Sequence, residues 1–315
     1  MPEGSSMAVL CIGAAHLDRK ARALRPVVGG SSNPVSTRTA PGGVARNVAA
    51  GLARLGAEVG MLTRVGRDPE GDAVIAALEA EGIGTELVTR SPQRPTACYT
   101  ALLGPDGELA VAFADMAVYD ELLPARIERL MPRMAAFPNW FLDCNLPRET
   151  LEYLVANRPV QTRLLVDAVS VPKAVKLDGL LAGVDTVFAN RDEAAVLTGL
   201  AIRAPLDVCV AGARLLEAGA RRAVITLGVE GAFLATLDEF AFLPALPAAV
   251  REVTGAGDAT IAGFICGLMR DLTPAAALRL GLACAAMALE SEGAVPTELN
   301  VAAALRRAGL DPVPA

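Results

Sequence analysis

Short apolar runs and longer helix-spaced stretches alternate along this chain. The runs at 9–13, 58–65, 140–144, 164–167, 186–189, 223–226 and 232–235 read as strands. Helical patterns fall at 45–55, 71–81, 124–134, 148–156, 193–197, 208–218, 257–269, 274–290 and 302–308. Such alternation predicts an α/β fold, with a mostly parallel sheet between two layers of helices. Two regions break the rhythm. Residues 19–40 are rich in Gly, Ser, Asn and Pro. Residues 96–113 read as a hairpin around Gly104-Pro105-Asp106-Gly107. We expect residues 1–315 to form a single domain, in which about 17–41 and 95–115 make a small β lid. Sites in such folds lie beyond the carboxyl ends of the strands.

Composition adjusts this picture only slightly. Of the 315 residues 53% are hydrophobic, mostly Ala, Val and Leu, and 4% are aromatic. Small aliphatics suit parallel strands covered by helices. The net charge is −6 and no long Lys/Arg run occurs, which argues against a nucleic-acid polymer as partner. Six cysteines (11, 98, 144, 209, 266, 284) form no C-x-x-C pair and suit a reducing compartment. Apolar stretches such as 280–289 fall short of the ~20 residues of a membrane span. Residues 1–6 are polar and unlike a signal peptide. The expected location is the cytoplasm, with no membrane partner. His16 is the single histidine, so mechanisms needing two are excluded.

Candidate chemistry gathers at predicted strand ends. Gly255-Ala256-Gly257-Asp258 opens the helix at 257–269. The free amides of that helix start can cradle phosphate, and Asp258 can take a proton from a hydroxyl. The same tetrapeptide is also compatible with an ordinary Asp cap. It is neither a Gly-x-Gly-x-x-Gly fingerprint, because Thr260 stands where the third glycine would be, nor a P-loop, because the chain has no Gly-Lys. Asp18, Gly42, Gly43 and Asn47 together would suit a polyol such as ribose. Asn190 and Glu193 fit either a capping box or a pair orienting water around Mg²⁺. Thr226, Gly228 and Gly231 form a further strand-end turn suited to phosphate or a nucleotide ribose.

Gly42-Gly43 with Asn47, Asn190-x-x-Glu193, Thr226-x-Gly228-x-x-Gly231 and Gly255-Ala256-Gly257-Asp258 stand in this order over roughly residues 8–308. In that order and spacing they resemble the ribokinase-like (PfkB) carbohydrate and nucleoside kinases. The resemblance implies a ribokinase-like fold and an ATP-dependent kinase using Mg²⁺ on a small sugar or nucleoside. It implies Asp258 as base and Gly255, Ala256 and Gly257 as anion hole. Asn190, Thr226, Gly228 and Gly231 fall on the ATP side, and Glu193 organises Mg²⁺ through water. Asp18, Gly42, Gly43 and Asn47 clamp the sugar. Within the family, Ser32-Asn33-Pro34, Asp115-Met116, Asp143-Cys144-Asn145, and Val166 to Ser170 with Lys173 and Lys176 are most similar to the pseudouridine-phosphorylating branch. That points to the 5′-hydroxyl of pseudouridine, with Ser32, Asn145 and Lys173 nearest the base or sugar. Ribose, adenosine or another nucleoside is the alternative acceptor, and a non-catalytic binding protein on this fold is a further one. The family often pairs through its lid, which suggests a homodimer. Glu252-Val253 replaces the usual Asp-Thr or Asn-Thr, so use of a monovalent cation is left open. Val171-Pro172 precedes Lys173 where a bulkier aromatic is expected.

Overall fold

The computed structural model describes residues 7–310. The reading of residues 1–6 as a polar leader lies outside that range. In chain order the strands are β1 (Ala8–Ile12), β2 (His16–Ala23), β3 (Val35–Gly42), β4 (Glu58–Leu62), β5 (Arg64–Gly66), β6 (Thr89–Ser91) and β7 (Cys98–Leu103). They continue with β8 (Leu109–Asp115), β9 (Asn139–Asp143), β10 (Arg163–Asp167), β11 (Thr186–Asn190), β12 (Arg222–Thr226), β13 (Ala232–Thr236) and β14 (Phe240–Leu243). The helices are α1 (Val44–Arg54), α2 (Pro69–Ala80), α3 (Pro124–Met134), α4 (Arg148–Asn157) and α5 (Val171–Ala174). They end with α6 (Arg191–Thr198), α7 (Pro205–Glu217), α8 (Ala256–Met269), α9 (Pro274–Leu289) and α10 (Val301–Ala308).

Eight strands make the central sheet, in the order β14-β13-β12-β11-β10-β9-β1-β4. Pairing is parallel from β4 to β12 and antiparallel through β13 and β14. Strand side chains point alternately to the two faces, and here both faces are covered. Val9 and Cys11 of β1, Phe141, Leu165, Phe188 and Val224 pack under α1, α8, α9 and α10. Leu10, Ile12, Trp140, Leu142, Leu164, Val166 and Val187 pack under α3, α4, α6 and α7. The three-layer α/β/α expectation therefore holds.

A second sheet, ordered β3-β2-β7-β8, stands beside the first. Its strands cover most of the two regions that broke the rhythm. The 19–40 segment is an antiparallel hairpin, β2 with β3, and β7 pairs parallel to β2. Lys20 Nζ donates to Glu252 Oε1 at 2.6 Å and so ties this sheet to the turn before α8.

Three expectations need correcting. The run 58–65 is not one strand. It divides after Leu62, and β5 leaves the sheet to pair with β6. The buried Arg64 explains the break, because its guanidinium must reach Glu121 (Nε to Oε2, 2.7 Å). Asp18, expected at a strand end, instead lies inside β2, opposite Ala40. Finally, β14 was missed. It adds Phe240 and Phe242, whose rings lie 5.6 and 4.6 Å from that of Phe233.

Candidate active site

Four neighbouring parallel strands end in polar residues: Asp143 on β9, Asp167 on β10, Asn190 on β11 and Thr226 on β12. Asp143 is level with Asp167, and Asn190 with Thr226. Their apolar runs are buried in the sheet, so the polar residues emerge in a row along its carboxyl edge.

Asp143 is fully buried and binds three backbone amides. Its Oδ2 accepts from Ala14 (2.9 Å) and Ala45 (3.0 Å), and its Oδ1 accepts from Asn145 (2.9 Å). The Ala45 amide is one of the orphan donors at the start of α1. Asp143 thus fixes where α1 begins relative to the end of β1. Gly43 caps α1 at φ 101°, with its Cα against the Ala14 carbonyl; a Cβ there would lie 2.3 Å from that oxygen. One turn later Asn47 faces the site. Its Oδ1 accepts from Arg46 Nη1 (3.2 Å), and its Nδ2 donates to Asp258 Oδ2 at 2.8 Å.

That last bond joins two segments 211 residues apart. Asp258 lies in the first turn of α8. Gly255, the N-cap, is left-handed at φ 86°, and a Cβ there would meet the Ala294 carbonyl at 2.2 Å. Ala259 is the first residue of the helix to donate back, to Gly255 at 2.8 Å. The amides of 256, 257 and 258 are therefore free to face a ligand. Burial pushes the Asp258 carboxyl up to about 7, against the Asn47 hydrogen bond; Asp143 and Asp18 push the same way and Arg46 opposes them. A carboxylate beside three free amides, ionising near neutrality, can remove a proton from an alcohol while the amides hold an anion.

Asp18 reaches the same neighbourhood from β2. A Cβ on Gly42 would sit 2.5 Å from its carboxyl, so the missing side chain at Gly42 is what makes room for it. Asn145 follows Asp143 and accepts from Lys173 Nζ at 2.5 Å. The turn carrying Lys173 is strained: Val169, a β-branched residue, has φ 69°. Asp167 Oδ2 accepts from its amide at 3.1 Å. Burial first, and then Asp258, Glu193 and Asp143, hold the Asp167 carboxyl well above the usual range.

The other expected residues are arranged differently. Asn190 and Glu193 form a complete capping box. The Glu193 oxygens accept from Asn190 N (2.8 Å) and Nδ2 (2.7 Å), and Asn190 Oδ1 accepts from Glu193 N (2.9 Å). The pair is thus engaged with itself at the start of α6. Thr226, Gly228 and Gly231 form a tight turn between β12 and β13, closed by Leu227 N donating to Gly231 O at 2.8 Å. Ser32 is exposed near the tip of the β2–β3 hairpin, and no contact joins it to Asp258. Glu252 accepts from Lys20 and from Gly293 N (3.0 Å), so it serves as the anchor for the small sheet.

Sequence reasoning passed over Asp143 and Asp167 as site residues. The signal was present, since each is an acid closing an otherwise apolar strand run. It also passed over the pairing of His16 with Asp18, 3.2 Å apart, because period-two spacing inside a Gly-poor strand looks like any exposed strand face.

Known proteins carry the same architecture. A solved carbohydrate kinase from Agrobacterium tumefaciens superposes with a TM-score of 0.86 at 33% identity, covering 97% of this chain and 98% of that one. A ribokinase from Arabidopsis thaliana, complexed with ribose and ATP, shares the fold (TM-score 0.84, 21% identity, 96% and 99% covered). Among curated sequences, a pseudouridine kinase of Escherichia coli is 29% identical over 295 residues, 93% of this chain and 94% of its own. The model of the pfkB family carbohydrate kinases matches residues 7–302, and the chain belongs to that family.

Proposed function

We propose that this protein transfers the γ-phosphoryl group of ATP to the 5′-hydroxyl of a nucleoside, pseudouridine first among the candidates. The observation that carries the reading is the 2.8 Å bond from Asn47 to Asp258. It sets the proton acceptor beside a group suited to the acceptor's hydroxyls. The E. coli pseudouridine kinase, similar over nearly its whole length, supports the choice of acceptor.

Asp18 and Asn47 hold the ribose hydroxyls, with the Gly42–Gly43 backbone beneath them. The 5′-oxygen then points at Asp258, which removes its proton as the oxygen attacks phosphorus. The amides of 256–258 accept the charge that develops on the transferring group. Asn190, Thr226, Gly228 and Gly231 lie on the nucleotide side. The small sheet acts as a lid, held through Lys20 and Glu252, and keeps water from competing with the alcohol. Asn145 and Lys173 face the base. The lysine's donors suit a ring carbonyl, and the Asn145 amide group supplies both donor and acceptor. Ser32 would join them only with the hairpin tip folded inward.

Mg²⁺ would come bound to ATP and would supply charge neutralisation at its phosphates. Among the described residues no trio of His, Cys, Asp or Glu is grouped to cage a metal. Glu193, whose two oxygens accept from Asn190, would act on that ion through water. No described helix is long and apolar enough to cross a membrane. Apolar side chains lie on the exposed lid (Leu109 57%, Phe113 63% exposed) and suit pairing with a second copy.

A sugar acceptor is the second reading, favoured by the 33% identical carbohydrate kinase. ADP release measured over pseudouridine, uridine, cytidine, adenosine and ribose separates the two. Turnover of pseudouridine at the highest kcat/KM supports the first reading; turnover of ribose with none of pseudouridine replaces it.

A further inference from the structure

Arg46 is out of place in the interior. It is 7% exposed, burial works against its charge, and its Nε is buried without a hydrogen-bond partner. Among the described residues its side-chain hydrogen bonds run through Nη1 alone, to Asn47 Oδ1 at 3.2 Å and to Pro41 O at 3.5 Å. Neither acceptor is a carboxylate. A buried cation paired so sparsely costs stability, so packing does not account for it. Its neighbour on α1 does. A guanidinium has only donors, so the oxygen of the Asn47 amide must be the atom that faces it. The Nδ2 of the same amide then points the other way and donates to Asp258 Oδ2 at 2.8 Å.

We infer that Arg46 is a positioning residue: by holding the Asn47 oxygen, it keeps that amide donating to Asp258 whether or not the carboxyl carries a proton. This rests on the proposed role of Asp258 as base. A protonated carboxyl has an O–H to give. An unrestrained amide would turn over and accept it, and that bond would stabilise the idle, protonated base. Turned over beside Arg46, the amide would set N–H against N–H. Arg46 thus bars the one arrangement of Asn47 that would hold the proton in place. The surroundings of Asp258 give this bar its purpose. Burial, and then Asp143 from β9 and Asp18 from β2, push Asp258 toward its protonated form, while Asn47 and Arg46 from α1 push back. Asp167 from β10 belongs to the same group of acids.

The Asp258 carboxyl can be followed by NMR in ligand-free enzyme carrying ¹³C-labelled aspartate, its signal assigned as the one lost in Asp258→Asn. The wild-type midpoint should be about 7. Arg46→Met should raise it by about one pH unit or more, whereas Arg46→Lys, which also only donates, should stay close to wild type. In steady-state assays kcat of Arg46→Met should be about tenfold low at pH 6 and should return to within a few-fold of wild type at pH 9. A purely structural role predicts a loss that alkali does not repair. The lost charge is separated from the freed amide in an Asn47→Leu background, where no amide remains to hold. There Arg46→Met should move the midpoint by less than it does when Asn47 is present. Equal shifts in the two backgrounds, or no shift when Asn47 is present, overturn the inference. Should Arg46→Met not fold, Arg46→Gln carries the same expectations, because it can turn either an oxygen or an NH₂ to Asn47. A carboxyl that titrates as expected in an enzyme releasing no ADP with any acceptor would instead overturn the kinase reading and leave this one standing.

Discussion

A single hydrogen bond, Asn47 to Asp258, joins the two halves of the proposed chemistry, and its consequences can be read at individual residues. The Asp258 carboxyl is pushed up to about 7. A base must be ionised to act, so kcat should be low below that point and rise through it as pH increases. A pH profile of kcat at saturating substrates checks this; a flat profile between pH 5 and 8 removes Asp258 from the step. Asn47 donates to the ionised form and so favours it. Asn47→Leu keeps the size and loses the donor, so the midpoint of that profile should move to higher pH. A midpoint moving down would mean that the bond is not made in the working enzyme. The same burial has a cost. The native carboxyl binds its proton more tightly than the unfolded one, so this group's contribution to stability falls as pH rises from about 4 to about 7. Asp258→Asn, which retains an acceptor for Asn47, should therefore melt higher than wild type at pH 8.

Elements show which features were legible in the sequence and which were not. Helices α3 and α9 could be placed to within a residue, because a proline at N1 and sustained spacing mark them. In the small sheet the β7–β8 hairpin was legible from its Gly104–Gly107 turn, whereas β2 and β3 were legible only as a break in rhythm. β3 is exposed over most of its length, so no alternation of buried and open positions betrays it. The division of 58–65 was hidden because Arg64 is buried by pairing with Glu121, 57 residues away. The Gly255 turn was legible as a motif, but its reason was not: the Ala294 backbone, which excludes a side chain, comes from the segment after α9. Gly255→Ala should thus lose both shape and function. Strain of order 1–3 kcal/mol is expected from the left-handed backbone, plus displacement of Ala294. Denaturant melts should show the loss of stability. A fall in kcat should also appear well below the melting range, because the amides of 256–258 would shift.

At the scale of the whole molecule the sheet is a base that presents its carboxyl edge to the two proposed substrates, ATP and an alcohol. Cores cover both of its faces. Trp140 is fully buried, donates Nε1–H to Met134 O at 3.2 Å, and lies on β9 before the strand reaches its carboxyl edge at Asp143. Trp140→Ala should cost about 3–5 kcal/mol in urea unfolding while leaving kcat of the folded fraction intact. If kcat fell in proportion, site and core would not be separable as described. The central claim is that Asp258, held by Asn47 above a row of strand-end polar residues, deprotonates the acceptor. The most direct measurement compares steady-state ADP release by wild type and Asp258→Asn with pseudouridine, ATP and Mg²⁺. The account predicts turnover by wild type and a kcat lower by ~10² or more in the variant, with the acceptor KM little changed. Equal kcat in the two proteins would contradict it.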